Sequence, residues 1–576
     1  MNSSSSRNEG WLYALAFLIA FGLRFVQLGA APLTDSEATL ALQAWQLAQG
    51  QSVVLAPHSA YLLFTSVLFK VIADSNFMAR LLPALAGSLL VFVPLLFKGK
   101  LGSRAAWLLG LLLAIDPGLN ALSRQADGTM LAVMFLLLAW GLWLNRRTSA
   151  AGIFLALALL SGPSVWSGLL VLTLTAIFLR GLQPTLPAAD SAEMPAPPTT
   201  NLLIDLRKMA PAFGLTLLLA GTLFITVPNG LSAALAALPA YLTGWVSPSG
   251  FTPARMLFTF LAYEPLGIVL ASLALYRGLR TNSKRLIRLI MGLGVALLLG
   301  IFYRDPHQLV WAIIPLLALA AMELARALDL YRDELVEVGV VGAAILLLLV
   351  YSWFNLAGIA LNPAPVPMNV PLFGLVENPR LFVLYGSLGI IAVSVGLVAL
   401  GWSMRTARLG LTWAFTFFLT FYSLGAAWGA SGLRNPGGTE LWSVDSRPQQ
   451  ADLLSASVDD LSEFSLGHID AQPVTLSGLD SPALEWLLRK NGVTSVTVLD
   501  PQAAPPLVVT LAGVNDPGLP SAYRGQDFTW RQPPLWDQAQ TYDWVNWLVF
   551  RKLPSQPETV ILWARNDLFP DGRTTP

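Results

Sequence analysis

The chain contains no cysteine in its 576 residues. Disulfide scaffolding, thiolate catalysis and cysteine-ligated metal are therefore excluded. Charge is scarce too. Asp, Glu, Lys and Arg supply 12% of the sequence, about half the share usual in a soluble domain, and the net charge is only +1. That balance offers nothing to nucleic acid or to a strongly acidic partner. Also missing are the Gly-rich loop ending in Lys-Ser/Thr that cradles phosphates and a Gly-x-Gly-x-x-Gly turn after a strand, so nucleotide chemistry has no support. The three histidines show no helical pairing, which gives no metal-ligand pattern and leaves a divalent metal open.

What the chain has in abundance is apolar length. Hydrophobic residues make up 55% of it. Runs of about 18 or more, each enough to cross a bilayer core, recur from position 11 to 430. The fold class this predicts is a polytopic α-helical membrane protein. Arg7, the apolar stretch 11–23 and Gly29-Ala30-Ala31 have the outline of a cleaved signal peptide. We read the segment as an uncleaved first span, because cleavage would detach it from the acidic turn that follows.

Lys and Arg in short loops set the orientation. With Arg7 inside, the span near 11–28 runs outward, and the loop holding Lys98, Lys100 and Arg104 lies inside after a span near 79–97. The stretch 59–73 then cannot cross, and together with the amphipathic 36–49 it reads as interfacial or re-entrant on the outer side. Further spans fall near 105–122 and 129–144, with Arg146-Arg147 inside, and Gly162-Pro163 splits 151–179 into two short ones. The Pro/Ala-rich segment 181–208 reads as a disordered cytoplasmic loop. Spans near 210–227, 254–276, 289–302, 308–325, 336–357, 381–401 and 409–430 complete about thirteen crossings, with every strongly basic short loop on one side.

From 431 to 576 the charge rises and no spanning run remains. Residues 1–430 therefore predict a transmembrane domain and 431–576 a small extracytoplasmic α/β domain, joined at Asn435-Pro436-Gly437-Gly438. Ser481-Pro482 opens a helix that Gly492 ends. Residues 493–499, 507–511 and 560–564 read as strands. The aromatic stretch 528–550 reads as core and docking surface, with sugar or headgroup contact as its functional alternative.

Three polar turns could carry chemistry at the outward ends of spans. In Thr34-Asp35-Ser36-Glu37, Asp35 could take a proton from an acceptor hydroxyl, while Thr34 and Glu37 also fit a capping box. In Ser123-Arg124-Gln125-Ala126-Asp127, Asp127 is a second acid or a helix cap. Arg124 there either binds phosphate bidentately or snorkels to headgroups. In Tyr303-Arg304-Asp305-Pro306-His307-Gln308, Arg304 and His307 suit a phosphate leaving group, with an Arg304–Asp305 pair as the local alternative. His58 completes the set.

With these residues in view, the sequence resembles the GT-C glycosyltransferases, particularly glycosyltransferase family 39 with its protein O-mannosyltransferases and lipid A aminoarabinose transferase. The resemblance rests on Thr34 to Ala38, on Pro57-His58-Ser59-Ala60-Tyr61, on Ala79 to Gly87, on Ser123 to Asp127 and on Tyr303 to Pro315. It is densest over 32–145. The His58-to-Tyr61 stretch and aromatic tail are also similar to the flippase-activity-associated branch. Two departures are plain: Ser36 stands between two acids that the family has adjacent, and Ser59-Ala60 replaces a Pro or Gly-Pro.

The resemblance implies inverting transfer of a sugar from a polyprenyl-phosphate donor to an acceptor hydroxyl on the extracytoplasmic face. The acceptor is a protein, lipid or glycan, and nucleic acid has no part. By position Asp35, Asp127 and Glu37 would be catalytic, and Arg124, Arg304, His307 and His58 would face the lipid phosphate. The setting it implies is the plasma (inner) membrane of a cell envelope, N-terminus cytoplasmic. A flippase or transporter for lipid-linked glycans, or a non-catalytic partner of such a machine, is the competing reading. Transporters carry charges in mid-membrane and repeated halves, whereas here the charges sit at span ends.

Overall fold

A computed structural model describes residues 3–181, 202–247, 250–329, 334–362, 366–371, 374–434, 439–513 and 518–569. The fold is an α-helical membrane bundle carrying a small C-terminal sheet region. Among the described residues, seven helices are long and apolar enough to cross a bilayer, or nine if each of two bent pairs is one span. About thirteen crossings would also need the shorter or less apolar helices Ser3–Phe25, Thr129–Leu144, Thr148–Leu160 and Leu202–Gly221.

The two bent pairs break where the sequence removes a backbone donor. Ser103–Ile115 and Pro117–Ser123 meet at 58°, and Pro253–Tyr263 and Pro265–Thr281 at 88°. At the first break Asp116 caps the new helix, its Oδ1 accepting from the Leu119 amide at 2.7 Å. The fully buried Arg24 of the first helix donates to the Leu113 and Ala114 carbonyls exposed at that break. The sequence reading of 105–122 and 254–276 as continuous spans missed both bends, and it missed the helix Asn229–Gly244.

The two outer-side segments form helices Asp35–Ala48 and Ser59–Val71. Most of the loop read at 181–208 lies outside the described residues, but Arg207 and Lys208 belong to the helix Leu202–Gly221 and not to that loop. The expected linker 435–438 also lies outside them.

A two-stranded hairpin, β1 (Met368–Val370) and β2 (Gly374–Val376), links two of the long helices. Past the last long helix, β3 (Val474–Ser477), β4 (Thr494–Val496), β5 (Leu507–Leu511), β6 (Tyr523–Arg531) and β7 (Glu558–Arg565) form one sheet in the order β4-β3-β5-β7-β6. β3 pairs parallel with β4 and β5, and β7 pairs antiparallel with β5 and β6, with Val509 opposite Leu562. The sequence anticipated β4, β5 and β7. It missed β3 and β6, the latter because Phe528 and Trp530 were read only as part of an aromatic run. The helix at Pro482 ends at Leu487, and Gly492 takes the left-handed conformation at φ +64° one short helical turn later.

The sheet region sits on the bundle through aromatic and ionic contacts. Trp547 is fully buried and donates to the Thr439 carbonyl at 2.7 Å, while the Trp544 ring lies 4.4 Å from Phe258 of the bundle. Trp486 donates to Asn76 at 2.8 Å and carries the Arg489 guanidinium 3.9 Å above its ring. Arg489 in turn pairs with Asp74 at 3.2 Å. The aromatic run is core and docking surface, each large ring removing of order 150–250 Å² from water.

Candidate functional site

Four polar segments meet where the sheet region covers the bundle: the turn before Asp35–Ala48, residues 124–128, residues 304–308, and the segment 439–449 that follows the last long helix. They are joined by direct bonds. The Ala126 amide donates to Glu37 Oε1 at 2.9 Å, the Ser36 amide to Asp445 Oδ2 at 2.9 Å, and Gln125 Nε2 to the Trp442 carbonyl at 3.0 Å. The first turn and the Asp127 turn are therefore neighbours at one end of the bundle. A cavity of about 200 Å³ opens there, walled by Gln125, Arg255, Glu440, Trp442, Asp445 and Arg447 among others. That is below the roughly 300–1,000 Å³ of a pocket for a drug-sized molecule, and suits a single ring.

Thr34 and Glu37 form the capping box that their spacing predicts. Glu37 does more. Its oxygens accept from Arg80 Nε at 2.8 Å, Arg80 Nη2 at 2.7 Å, the Thr34 amide at 3.0 Å and the Ala126 amide at 2.9 Å. A carboxylate has about four acceptor positions, and all are taken. Burial alone would raise the acid's pKa, but the Arg80 guanidinium and these N–H groups hold it at about 2. Glu37 is thus a fixed anion tying three segments together, with no lone pair left for the acid–base role expected of it.

Asp35 points the other way, toward the sheet region. Its Oδ1 accepts from the Ser481 hydroxyl at 2.9 Å and the Ala483 amide at 3.0 Å, and its Oδ2 pairs with Arg531. Ser481 stands at the N-cap position of its helix but spends its hydroxyl on Asp35 and not on the helix amides.

Asp127 closes a tight turn. Its oxygens accept from the Gly128 amide at 2.6 Å, the Thr129 amide at 3.2 Å and the Thr129 hydroxyl, and His58 Nδ1 lies 3.2 Å away. Burial pushes its pKa up, but the His58 and His307 imidazoles and these donors bring it below the ordinary carboxylate value. Glycines make the approach: a Cβ on Gly162, whose φ is +130°, would lie 2.6 Å from His58 Nδ1. A Cβ on Gly128 would lie 1.9 Å from the Ser161 carbonyl.

His307 is bracketed by acceptors. Nδ1 lies 2.7 Å from Asp305 Oδ1, and Nε2 lies 2.9 Å from the oxygen of Gln125, whose nitrogen is already committed to Trp442. Both ring nitrogens must donate, so the geometry calls for an imidazolium. Asp305 pairs with His307 and not with Arg304, the local alternative in the sequence, which adopts the left-handed conformation at φ +64°. Arg304 is exposed, and its side chain has no hydrogen bond or ion pair among the described residues.

Arg124, expected at a phosphate, caps the first helix. Nη1 donates to the carbonyls of Leu23, Arg24 and Val26 and Nη2 to that of Gln27, at 2.8 to 3.2 Å. The orphan carbonyls at the helix end satisfy this guanidinium in place of a phosphate. Two other arginines reach the cavity that sequence reasoning passed over. Arg447 lies in the expected outer domain, between the linker and the Ser481 helix, in a stretch that drew no reading. Arg255 lies inside an apolar stretch and is held between the Phe251 and Trp536 rings at 3.8 and 4.5 Å. An arginine flanked by aromatic residues is the signal that could have found it. No group of three His, Asp or Glu side chains among the described residues could hold a metal ion.

No family model matches this sequence, and no curated protein does. Among solved structures, ArnT from Cupriavidus metallidurans bound to undecaprenyl phosphate matches with a TM-score of 0.51 and 14% identity, covering 98% of this chain and 99% of that one. An oligosaccharyltransferase from Archaeoglobus fulgidus matches at a TM-score of 0.38 and 12% identity, over 87% of this chain and 68% of that one. The chain shares the membrane fold of ArnT.

Proposed function

We propose that the protein is a membrane glycosyltransferase that moves a sugar from a polyprenyl-phosphate carrier to an acceptor hydroxyl, inverting the anomeric centre, on the extracytoplasmic face. Residues 1–430 form the membrane part and 431–576 the outer domain. The observation that carries this reading is the convergence of four hydrogen-bonded polar segments at the bundle end covered by the sheet region, beside a ring-sized cavity that Gln125 and the 439–449 segment line. Neither bundle packing nor a transport path through the middle of the membrane requires that cluster. ArnT, whose fold this chain shares, was solved with undecaprenyl phosphate, and the cavity's Arg255 and Arg447 suit the phosphate of such a lipid.

In this reading the guanidinium groups of Arg255 and Arg447 hold the leaving phosphate and balance the charge that grows on it as the glycosidic bond breaks. The His307 cation adds positive potential next to Asp127. The Asp127–His58 pair lines the approach to the cavity, and Arg304 at the rim attracts the anionic headgroup. An inverting transfer needs one carboxylate to remove the acceptor proton, with no covalent sugar–enzyme intermediate.

Purified protein in detergent is offered a panel of undecaprenyl-phosphoryl hexoses and pentoses labelled in the sugar, with membranes from the expressing cells as acceptor. The expected result is labelled glycoconjugate together with undecaprenyl phosphate, lost on Arg255→Ala. Movement of the intact labelled lipid across a vesicle bilayer without glycosidic bond formation would replace this reading with a flippase.

A further inference from the structure

We infer that the catalytic base is Asp445, on the segment after the last long helix, and that Asp35 is a structural clasp. This rests on the transferase reading above. The argument is an accounting of carboxylate oxygens in the four polar segments that meet there. Asp35, Glu37, Asp127 and Asp305 each have both oxygens engaged by protein donors. Glu440 accepts from the Tyr263 hydroxyl through one oxygen, and its other lies 3.7 Å from Arg551 Nε.

Asp445 differs. Its Oδ2 accepts from the Ser36 amide at 2.9 Å, while Oδ1 has no hydrogen-bond partner among the described residues. The side chain is half-buried in the wall of the cavity, beside Gln125, Arg447 and Gln449. One oxygen is held and the other is uncommitted on a residue that lines the cavity, which is the arrangement a general base needs. The Ser36 amide fixes the side chain's direction, giving the residue that separates the two acids of the first turn a role of its own.

The step balances. The acceptor O–H bond breaks and its proton passes to Asp445 Oδ1 as the oxygen attacks the anomeric carbon. The bond from that carbon to the phosphate oxygen breaks, and its electron pair leaves with the polyprenyl phosphate. Solvent then removes the proton from Asp445.

The test compares wild type, Asp445→Asn, Asp445→Glu and Asp35→Asn in the labelled transfer assay, with binding of undecaprenyl phosphate and thermal unfolding as companions. General bases contribute about 10²–10⁴-fold. Asp445→Asn is therefore expected to lower kcat at least about 100-fold, with undecaprenyl phosphate affinity within threefold of wild type and the unfolding temperature unchanged. Asp445→Glu should recover part of that rate with an altered pH profile. Asp35→Asn should unfold at lower temperature yet lose less than tenfold in kcat. Wild-type turnover by Asp445→Asn, or a loss that tracks weakened lipid binding or stability, overturns the assignment. So does an inactive but stable Asp35→Asn. A wild type inactive with every donor in the panel overturns the transferase reading itself, and the base with it.

Discussion

At the scale of single residues, the site is built by carboxylates that have given up their freedom. Glu37 illustrates the energetics. Removing one partner from a buried ion pair costs about 3–5 kcal/mol, because the other charge stays behind unpaired. Glu37→Ala should therefore destabilise the protein by about that amount, read as the shift of its thermal unfolding in detergent. The sign of the pH dependence follows from the acid's position at about 2 in the folded chain, against about 4.3 unfolded. A depressed carboxylate contributes its full stability above the unfolded value and loses it as pH falls toward the folded one. Wild type should thus lose stability between about pH 5 and 2, and Glu37→Gln, which keeps only part of the hydrogen bonding, should show a flatter profile. An identical acid slope in the two proteins would mean that another group carries it.

Much of this was legible in the sequence, but only as local pattern. The spacing of Thr34 and Glu37 announced a capping box, and the box is there. The same spacing was silent about Arg80, 43 residues away, which makes Glu37 a fixed anion. Arg124 failed in the same manner. A lone arginine at a span end looks identical whether it meets a phosphate or the carbonyls of Leu23 to Gln27, because the competing acceptor is a helix terminus brought there by packing. Asp445 was invisible for a different reason: polar residues beyond a last span have no periodicity to mark them, and their meaning comes from the amide of Ser36, 409 residues away.

At the scale of elements, the bends and the clasp decide how the site is held. Proline at the breaks after Asp116 and Glu264 redirects two spans, one ending close to Gln125 and the other bearing Arg255. Sequence reading gave the apolar lengths correctly but joined them straight, since apolar composition does not report helix direction. The clasp is the contact of Asp35 with Ser481, Ala483 and Arg531, which fastens the helix Asp35–Ala48 to the sheet region. Hydrogen bonds to charged groups contribute about 1.5–3 kcal/mol each. Arg531→Leu should then raise amide exchange at the start of Asp35–Ala48 by tenfold or more, with exchange in Val310–Ala327 unchanged. Equal protection in the variant would show that packing around Trp486 and Trp530 suffices to hold the two parts together.

At the scale of the whole molecule, the membrane bundle brings Gln125 and Arg255 to the cavity, and the segment after its last long helix brings Asp445 and Arg447. The bundle alone would leave Asp35 and Glu37 beside a cavity with one wall missing, since Trp442, Asp445 and Arg447 come from beyond the last long helix. In the proposed orientation, read from Lys and Arg, this end lies outside the cell, which is why the proposed donor is lipid-borne.

The absence of cysteine permits a direct measurement of that arrangement. A single cysteine is introduced as Gln449→Cys, at an exposed position on the cavity wall, and its reaction with a membrane-impermeant maleimide is timed in intact cells and in detergent with and without undecaprenyl phosphate. The account expects labelling without permeabilisation and slower labelling when the lipid phosphate is present. Labelling only after the cells are opened, or a rate indifferent to the lipid, would contradict an outward cavity that holds the donor.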